Sequence, residues 1–271
     1  MNLETTIQER EAEFWDAVIE KDGGDMSGFP VSPDDLFDRT MPWLDYMDMP
    51  AFVSEVFDTV APAPGRRVLD LGCGKGHLAL ALAHRGWDVS AIDISPKSIE
   101  MSQARAAVSG LAGKVDFQVM DCEVLDFPDN HFDAVTGSFV LHHLNLPKIG
   151  KEISRVLKPT GRAACIETIG MNPLLMLARA TLPGRFGIEK ASSDDEAPLD
   201  QPRIDIISQN FAGKVSVAFP KVVFFRMACY LPFMNHMVGR GLLKGLDRLV
   251  GAIPPLRRTS YYGVVKLESR G

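Results

Sequence analysis

The chain has 271 residues, 46% of them hydrophobic, and a formal net charge of −6. That length suits one α/β domain with appended helices. The acidic balance argues against a nucleic-acid-binding protein, because phosphates demand a positive surface. No apolar run reaches the roughly 20 residues of a membrane span, and the acidic amphipathic start does not resemble a signal or transit peptide. We therefore expect a cytoplasmic protein.

Residues 1–62 are predicted to form a helical amino-terminal cap. Their hydrophobic periodicity, interrupted by a Gly/Asp/Pro-rich connection, indicates several separate helices. The predicted helices cover residues 3–21, 34–37 and 50–60.

From residue 63 to residue 271, strands and helices alternate as in a doubly wound α/β sheet. The predicted strands lie near 66–72, 88–94, 115–121, 132–139 and 161–169. The predicted helices lie near 75–85, 96–108, 146–157 and 172–182. A final antiparallel pair, 214–219 and 261–267, completes a seven-stranded Rossmann-like sheet whose last strand is antiparallel. Insertions are predicted at about 183–213 and 226–258. The second is mainly helical, and the first is a long polar connection, which is either a lid or binding loop or a disordered surface excursion.

The segment 68–76, Val-Leu-Asp-Leu-Gly-Cys-Gly-Lys-Gly, predicts a buried strand that ends in three alternate glycines before a helix. Glycines permit a tight turn and allow a ligand to approach the backbone closely. Seventeen residues after Gly76, Asp93 stands in the second strand, where its carboxylate can accept hydrogen bonds from two ribose hydroxyls. Together these features predict a nucleoside-binding α/β sheet.

The spacing Gly72-x-Gly74-x-Gly76 differs from the Gly-x-Gly-x-x-Gly of dinucleotide-binding folds. Asp70 precedes it, and a carboxylate there repels a pyrophosphate but suits a ligand that carries a sulfonium and an ammonium group. The competing interpretation is a generic glycine turn with an exposed aspartate. After the third strand, Asp121 offers a carboxylate to an adenine amino group, and the next backbone N–H can donate to the ring.

In this order, the motifs resemble those of the class I S-adenosylmethionine-dependent methyltransferases, in particular the small-molecule group of ubiquinone, sugar and natural-product methyltransferases. The resemblance covers about residues 66–169 and includes Leu-His-His-Leu at 141–144; Thr160 departs from it, since that group usually has glycine there. It implies S-adenosylmethionine as the cofactor. The cofactor-binding residues are then Asp70, Gly72, Cys73, Gly74, Gly76, Asp93, Ile94, Asp121, Cys122, Ser138 and Phe139.

Methyl transfer from a sulfonium is an in-line displacement, so the protein mainly has to align donor and acceptor. A base is needed only when the acceptor loses a proton, and an imidazole suits that task at neutral pH. Resemblance to sugar and phenol methyltransferases favours His142 as general base and Glu167 as its support, with His143 as the alternative base. The competing interpretation is that both histidines cap the following turn and pack structurally.

The predicted function is methyl transfer from S-adenosylmethionine to a small hydrophobic molecule such as a quinone, polyketide, lipid or other secondary metabolite. Oxygen is the favoured acceptor, followed by carbon and then nitrogen. Two alternatives stay open: an enzyme that uses the cofactor for other chemistry, and a non-catalytic module that binds the cofactor or a lipid surface. The four cysteines lack the spacing of a metal site, so no metal is predicted.

Charge is distributed unevenly along the chain, with 15 acidic and 3 basic residues in 1–60 but 2 acidic and 9 basic residues in 221–271. Either the two ends neutralise each other, or the basic end faces an anionic partner. Residues 238–250 predict a basic amphipathic helix, which is either a cap helix with a solvated basic face or a peripheral contact with the inner face of a membrane. The oligomeric state is not indicated. The helix places Val238, Leu242, Leu246 and Leu249 on one face and Arg240, Lys244 and Arg248 on another.

Overall fold

The computed structural model describes residues 7–21, 46–61, 63–182, 197–231, 234 and 236–270. The helix predicted over 34–37 and most of the polar connection after residue 182 lie outside the described residues. In chain order the helices are α1 (Ile7–Lys21), α2 (Met49–Val60), α3 (His77–His84), α4 (Pro96–Val108), α5 (Leu146–Val156), α6 (Pro173–Thr181), α7 (Gln201–Asn210) and α8 (Met237–Gly251).

The strands are β1 (Arg67–Leu71), β2 (Asp88–Asp93), β3 (Val115–Val119), β4 (Phe132–Ser138), β5 (Leu157–Thr168), β6 (Gly213–Ala218) and β7 (Tyr262–Ser269). They form one sheet in the order β3-β2-β1-β4-β5-β7-β6. The strands from β3 to β5 in that order are parallel, and β7 is antiparallel to both of its neighbours. The predicted Rossmann-like, seven-stranded architecture is confirmed.

The strand order reverses between β1 and β4, which places a crevice outside their carboxyl ends. Ligands of open α/β sheets bind in such a crevice. Each predicted strand of the parallel part ends at this edge, so the glycine turn after β1 and the Leu-His-His segment after β4 are brought side by side.

Helices cover both faces of the sheet and bury its alternating side chains. Val68 packs in the core beneath α2, α3 and α4, whereas Leu69 and Leu71 pack in the core beneath α5 and α7. Asp70 shares the side of Val68 because successive side chains of a strand point to opposite faces. The carboxylate of Asp70 is therefore directed beneath α3 instead of outward.

The predicted helix over 96–108 begins and ends as expected. Ser95 is its N-cap and accepts a hydrogen bond from the backbone N–H of Ser98 at 3.0 Å, and Pro96 occupies the first turn, where no N–H is required. These local signals are sufficient to fix the start of α4 next to the carboxyl end of β2.

The predicted insertion at 183–213 contains a helix that sequence reasoning missed. Asp200 caps α7 by accepting from Arg203 N at 3.0 Å, and Ile207 is buried against α5. Helix α7 therefore belongs to the helical layer of the core, while the lid predicted for the polar residues before it lies outside the described residues. The Asp-Gln-Pro sequence at the start of the helix is the N-cap signal that could have found it.

The insertion between β6 and β7 contains α8, which buries Gly239, Leu243 and Asp247 and exposes Val238, Leu242 and Leu249. The two interpretations of this helix stay open: Arg240 and Arg248 are exposed, as a solvated basic face predicts, but the three apolar side chains are exposed as well. The reason is that the buried carboxylate of Asp247 bonds to the chain beneath and sets the rotation of the helix. None of the described helices is both long enough and apolar enough to cross a membrane.

Candidate functional site

The glycine turn after β1 is held in backbone conformations that favour glycine. The φ angles are 56° at Gly72, 51° at Gly74 and 78° at Gly76, all in the left-handed region. A Cβ on Gly72 would lie 2.6 Å from Val140 Cγ2, and a Cβ on Gly76 would lie 2.9 Å from Ser102 Oγ. A Cβ on Gly74 would meet nothing within 4 Å. Gly72 and Gly76 therefore allow tight packing, whereas Gly74 leaves its backbone open to a ligand.

Asp93, at the carboxyl end of β2, is bound to the glycine turn. Its Oδ2 accepts from the backbone N–H of Gly74 at 2.8 Å, and its Oδ1 accepts from that of Ser95 at 2.9 Å. Burial raises the pKa of this carboxyl above its ordinary value, although the two N–H groups oppose the shift. Each carboxylate oxygen keeps a further lone pair that is able to accept a hydrogen bond from a ribose hydroxyl. That role of Asp93 stays a prediction.

Asp70 is 1% exposed and lies beneath the turn, so the interpretation as an exposed aspartate is wrong. The hydroxyl of Thr136 donates to its Oδ1 at 2.9 Å. Burial raises the pKa of Asp70 to about 7; the Thr136 hydroxyl opposes this effect, and the charge of Asp93 adds to it. Because the side chain is buried, Asp70 can reach a ligand only through its charge, and that role stays a prediction.

The segment predicted to contact adenine lies beside Asp93. Met120 N donates to the backbone oxygen of Asp93 at 3.0 Å, which fixes the chain just before Asp121 and Cys122. Asp121 Oδ1 accepts from Glu123 N at 2.8 Å, and Cys122 is buried. With Ile94 directly after β2, the structure brings these predicted cofactor residues to one edge of the crevice.

The chain leaves β4 through Ser138 and Phe139 in a strained conformation. Phe139 has a φ of 57°, which is uncommon for a residue other than glycine and is found at functional sites. Its N–H donates to Ile166 O at 2.7 Å, which holds the strained turn against β5. The Phe139 ring lies edge-on to Tyr262, with 5.5 Å between the ring centroids.

His142 and Glu167, predicted as a catalytic pair, are in direct contact. His142 Nδ1 lies 2.6 Å from Glu167 Oε2, and both side chains are buried. Glu167 Oε1 accepts from the backbone N–H groups of Val140, at 3.1 Å, and Leu141, at 2.8 Å. The carboxylate is therefore fixed on both oxygens, and its bond to Nδ1 leaves Nε2 of His142 for a second partner. The alternative, His143, lies 4.1 Å from the His142 ring between centroids.

Helix α1 crosses this edge of the sheet. Asp16 Oδ1 accepts from the hydroxyl of Ser95 at 2.5 Å, and Glu20 pairs with Lys97. At its other side, the Trp15 ring lies edge-on to His143 at 5.3 Å between centroids. Helix α1 therefore contacts both the start of α4 and the segment that contains the histidines.

Sequence reasoning missed the aromatic wall, which consists of Tyr261, Tyr262, Phe139 and Phe52. Tyr262 contacts both Phe139 and Phe52, and Tyr261 accepts from Arg179 Nη1 at 2.7 Å. Because β7 is antiparallel to β5, its first residues lie at the same edge as the carboxyl ends of the parallel strands. The predicted last strand begins with two tyrosines. Its antiparallel direction is the signal that could have placed them at this edge. Further apolar side chains on this core are Phe224, Met227 and Cys229 from the insertion.

The insertion is fastened by a buried arginine that sequence reasoning also missed. Arg226 is 1% exposed; its Nε donates to Asp247 Oδ2 at 2.9 Å, and its Nη1 donates to Asp48 Oδ2 at 2.5 Å. Nη1 also donates to the backbone oxygen of Tyr46 at 3.0 Å. Tyr46, which precedes α2, is thereby packed against the insertion. A single charge inside the apolar run Val-Val-Phe-Phe-Arg-Met is the signal for such a pair, because buried charges need partners.

The sheet, the glycine turn and the two buried carboxylates define a Rossmann-like nucleoside-binding protein, with a locked histidine–glutamate pair beside the ligand crevice. Residues 69–165 match the model of a family described as "Methyltransferase domain". The 2-phytyl-1,4-naphtoquinone methyltransferase of Synechococcus elongatus is 39% identical over 186 residues, which cover 66% of this chain and 79% of that one. The chain therefore belongs to the class I S-adenosylmethionine-dependent methyltransferase family.

Solved structures agree with the fold. Geranyl diphosphate C-methyltransferase from Streptomyces coelicolor, in complex with Mg²⁺, geranyl diphosphate and S-adenosyl-L-homocysteine, has a TM-score of 0.61 at 16% identity, with 98% of this chain and 99% of that one covered. The cyclase SpnF has a TM-score of 0.63 at 19% identity, with 99% of each chain covered. The chain spans only 52–62% of the length of several other curated methyltransferases that it matches.

The residues of the crevice fit S-adenosylmethionine, the cofactor of this family. Gly74 leaves room for a ligand against the backbone, and Asp93 lies directly beside that opening. The two buried carboxylates, Asp70 and Asp93, suit a cation better than a phosphate. Among the described residues, no group of three His, Cys, Asp or Glu side chains is placed to hold a metal ion.

Proposed function

We propose that this protein transfers the methyl group of S-adenosylmethionine to a small hydrophobic acceptor that loses a proton in the reaction. The cofactor supplies an electrophilic methyl group on a sulfonium. The chain supplies a crevice for the donor, an aromatic wall for the acceptor and a base between them. The observation that carries the proposal is the 2.6 Å contact between His142 Nδ1 and Glu167 Oε2.

The locked pair is arranged for proton transfer. The bond from Nδ1 to Glu167 favours the tautomer in which Nε2 has a free lone pair, and the carboxylate stabilises the imidazolium once that nitrogen takes a proton. Two backbone N–H groups fix Glu167, so the pair keeps its orientation throughout the reaction. His142 lies three residues after Phe139, whose ring contacts Tyr262, and this proximity supports a base near the aromatic wall.

The apolar character of the side chains near the histidines supports an acceptor with an aromatic or isoprenoid-like body. Tyr262, Phe139 and Phe52 are in ring contact, and Met227 and Phe224 from the insertion pack against the same core. Such a lining favours apolar ligands that are oriented by a few polar groups. A quinol, a phenolic polyketide or a related metabolite meets both requirements.

A phenol-type acceptor also explains why one base can serve two kinds of transfer. Removal of the hydroxyl proton gives an anion whose charge is shared between the oxygen and the ring carbons. The orientation against the aromatic wall then decides which atom meets the methyl group. The oxygen-first order from the sequence and the C-methyltransferase names of relatives are two outcomes of this one arrangement.

The test is turnover of a panel of quinols, phenols and aliphatic alcohols with methyl-labelled S-adenosylmethionine. We expect label in the product of a quinol or phenol and formation of S-adenosylhomocysteine in equal amount; NMR of the product identifies the methylated atom. An unlabelled product would instead indicate other chemistry, in line with the cyclase among the structures of the same fold. Cofactor binding without any product would indicate a binding module.

A further inference from the structure

Exposed apolar side chains of this protein are concentrated on one part of the surface. Of the twelve large apolar side chains that are exposed in the described residues, six lie between residues 237 and 256. Two more, Leu174 and Leu177, belong to α6, whose N-cap Asn172 donates to Thr259 O at 2.9 Å and so adjoins the end of the same segment. The six are Met237, Val238, Leu242, Leu249, Ile253 and Leu256.

Helix α8 presents these side chains as a continuous ridge. Val238, Leu242 and Leu249 are 73%, 60% and 69% exposed, and their spacing of four and seven residues places them on one face. The helix buries its opposite side against Arg226 through Asp247. The short 3₁₀ turn after α8, Pro254–Thr259, buries none of its residues and extends the surface with Leu256.

Basic side chains surround a cavity of about 300 Å³ beside this ridge. Five cationic side chains and two carboxylates line it, so cations are in excess. Arg226 and Lys244 are already paired with Asp48 or Asp247. Within the described part of the chain, the other three cationic side chains have no carboxylate within 4.0 Å. These three are Lys221, Arg248 and Arg257.

The cavity and the ridge lie next to each other on α8. Arg248 lines the cavity and is the direct neighbour of Leu249, which belongs to the ridge. Arg257 lines the same cavity and follows the exposed Leu256. Apolar side chains therefore stand directly beside cations that lack a counter-charge.

We infer that the surface formed by residues 221 and 237–258 docks on an anionic lipid bilayer, with the ridge in the interface and a lipid phosphate in the basic cavity. An amphipathic surface binds anionic membranes in two ways at once: its apolar side chains are buried in the lipid, and its basic side chains are attracted to the anionic headgroups. A soluble anion would match the cavity but not the ridge, and an apolar protein partner would match the ridge but not the unpaired cations. The bilayer matches both.

The same insertion connects this surface to the apolar core beside the proposed acceptor site. Its inner side contributes Phe224 and Met227 to the apolar core that includes Tyr262. The inference rests on the proposed function in one respect. A hydrophobic acceptor partitions into a bilayer, and docking would bring the proposed acceptor site to that bilayer. Docking itself requires neither acceptor nor turnover.

The test is flotation of the full chain with vesicles of phosphatidylcholine alone and with vesicles that also contain phosphatidylglycerol, in low and high salt. We expect binding to the anionic vesicles at least about tenfold tighter than to the neutral ones and weakened by salt. The double variant Leu242→Ser with Leu249→Ser and the double variant Lys221→Glu with Arg257→Glu should each lose at least about tenfold.

Matched controls come from the opposite edge of the sheet. Val108→Ser changes an exposed apolar side chain at the end of α4, and Lys114→Glu reverses an exposed charge before β3. Both should bind vesicles as the unaltered protein does. Calorimetry with S-adenosylhomocysteine verifies that every variant is folded, and it separates loss of docking from loss of the proposed methyl transfer.

Four results would overturn the inference. The first is equal binding to neutral and anionic vesicles, and the second is undiminished binding by the ridge variant. The third is a thermal shift with inorganic phosphate without any vesicle binding, which would assign the cavity to a soluble anion. The fourth is a dimer in solution that the ridge variant dissociates, which would assign the ridge to a second copy of the chain.

Discussion

At the cofactor edge, the buried carboxylates of Asp93 and Glu167 bond to the turns beside them, whereas in the insertion between β6 and β7 the buried carboxylate of Asp247 bonds both to its neighbouring turn and to the guanidinium of Arg226. Asp93 and Glu167 each hold two backbone N–H groups of the turns beside them. Arg226 joins Asp247 to Asp48, which is 178 residues away in the chain. Both regions thus hold a turn through a carboxylate, but only the insertion is also tied, through Arg226, to a distant part of the sequence.

This difference has a functional meaning. Turns that are held through their backbone keep one shape whatever side chains surround them, and this suits a cofactor that is the same throughout the family. A surface that is held by a few ion pairs can change its exposed side chains freely. Under the proposed function, this second kind of construction serves the acceptor, which differs between the named relatives.

The largest expected effect is on turnover, at the His142–Glu167 pair. We expect His142→Ala to lower kcat by about 10²-fold or more, because general-base catalysis contributes about 10²–10⁴-fold. Affinity for S-adenosylhomocysteine, measured by calorimetry, should stay unchanged. The control is His143→Ala, which removes the neighbouring ring and should cost less than about tenfold. A loss below tenfold for His142→Ala would identify the pair as structural.

The second effect concerns stability and the insertion. Arg226→Met leaves Asp247 buried without its cation, so we expect the free energy of unfolding to fall by about 3–5 kcal/mol. Arg67→Met is the matched control, because Arg67 is half exposed and lies 3.9 Å from Asp88; an exposed pair contributes at most about 1 kcal/mol. Urea unfolding of both variants measures the difference, and equal losses would contradict the fastening role of Arg226.

The third effect compares two glycines of similar backbone conformation. Gly74 and Gly113 have φ angles of 51° and 70°, and a Cβ on either would meet nothing within 4 Å. Alanine at either position should cost about 1–2 kcal/mol of stability through left-handed strain. Only Gly74→Ala should also weaken S-adenosylhomocysteine binding, by about tenfold or more, because its methyl group occupies the ligand crevice. Equal cofactor affinity for the two variants would place the ligand elsewhere.

The smallest effect is a pH dependence at Asp70. Burial raises its pKa from 3.8 to about 7, so the folded protein holds a proton that the unfolded chain releases above about pH 4. The stability from this protonated group is present below about pH 4 and is lost as the pH rises to about 7. A cationic ligand favours the carboxylate, so binding should expel the proton.

Affinity for S-adenosylmethionine should accordingly increase by up to about tenfold per pH unit below pH 7 and level off above it. Calorimetry in buffers of different ionisation enthalpy measures the released proton. S-adenosylhomocysteine, which lacks the sulfonium charge, should show a weaker dependence. Asp70→Asn should abolish the dependence, and a flat profile in the unaltered protein would exclude coupling between Asp70 and the cofactor.

The cofactor edge was predictable from the sequence, whereas the insertion between β6 and β7 was largely not. The strand–glycine–helix pattern at 68–76, Asp93 and the N-cap Ser95 are short-range signals, and the structure brings them together as predicted. The contact between His142 and Glu167 was also predictable, because neighbouring parallel strands end at one edge. Their chemical roles remain predictions, since geometry alone does not measure a reaction.

The parts that sequence did not indicate depend on long-range packing. Arg226 finds Asp48 only when α2 and the insertion meet, and no local periodicity encodes that meeting. The exposed ridge on α8 has the same origin, because Asp247 turns the helix so that Leu243 and not Leu242 is buried. The aromatic wall around Tyr262 was accessible only through the antiparallel direction of β7.

The fastening of Arg226 has a practical consequence for redesign. Its guanidinium joins the residues just before α2 to the insertion through Asp48 and the Tyr46 carbonyl. Consider a chimera in which only residues 219–261 come from a relative. It would leave either a carboxylate or a guanidinium without its partner where this segment meets residues 46–48. Exchange of substrate preference between relatives should therefore transplant residues 46–48 together with the segment, as one module.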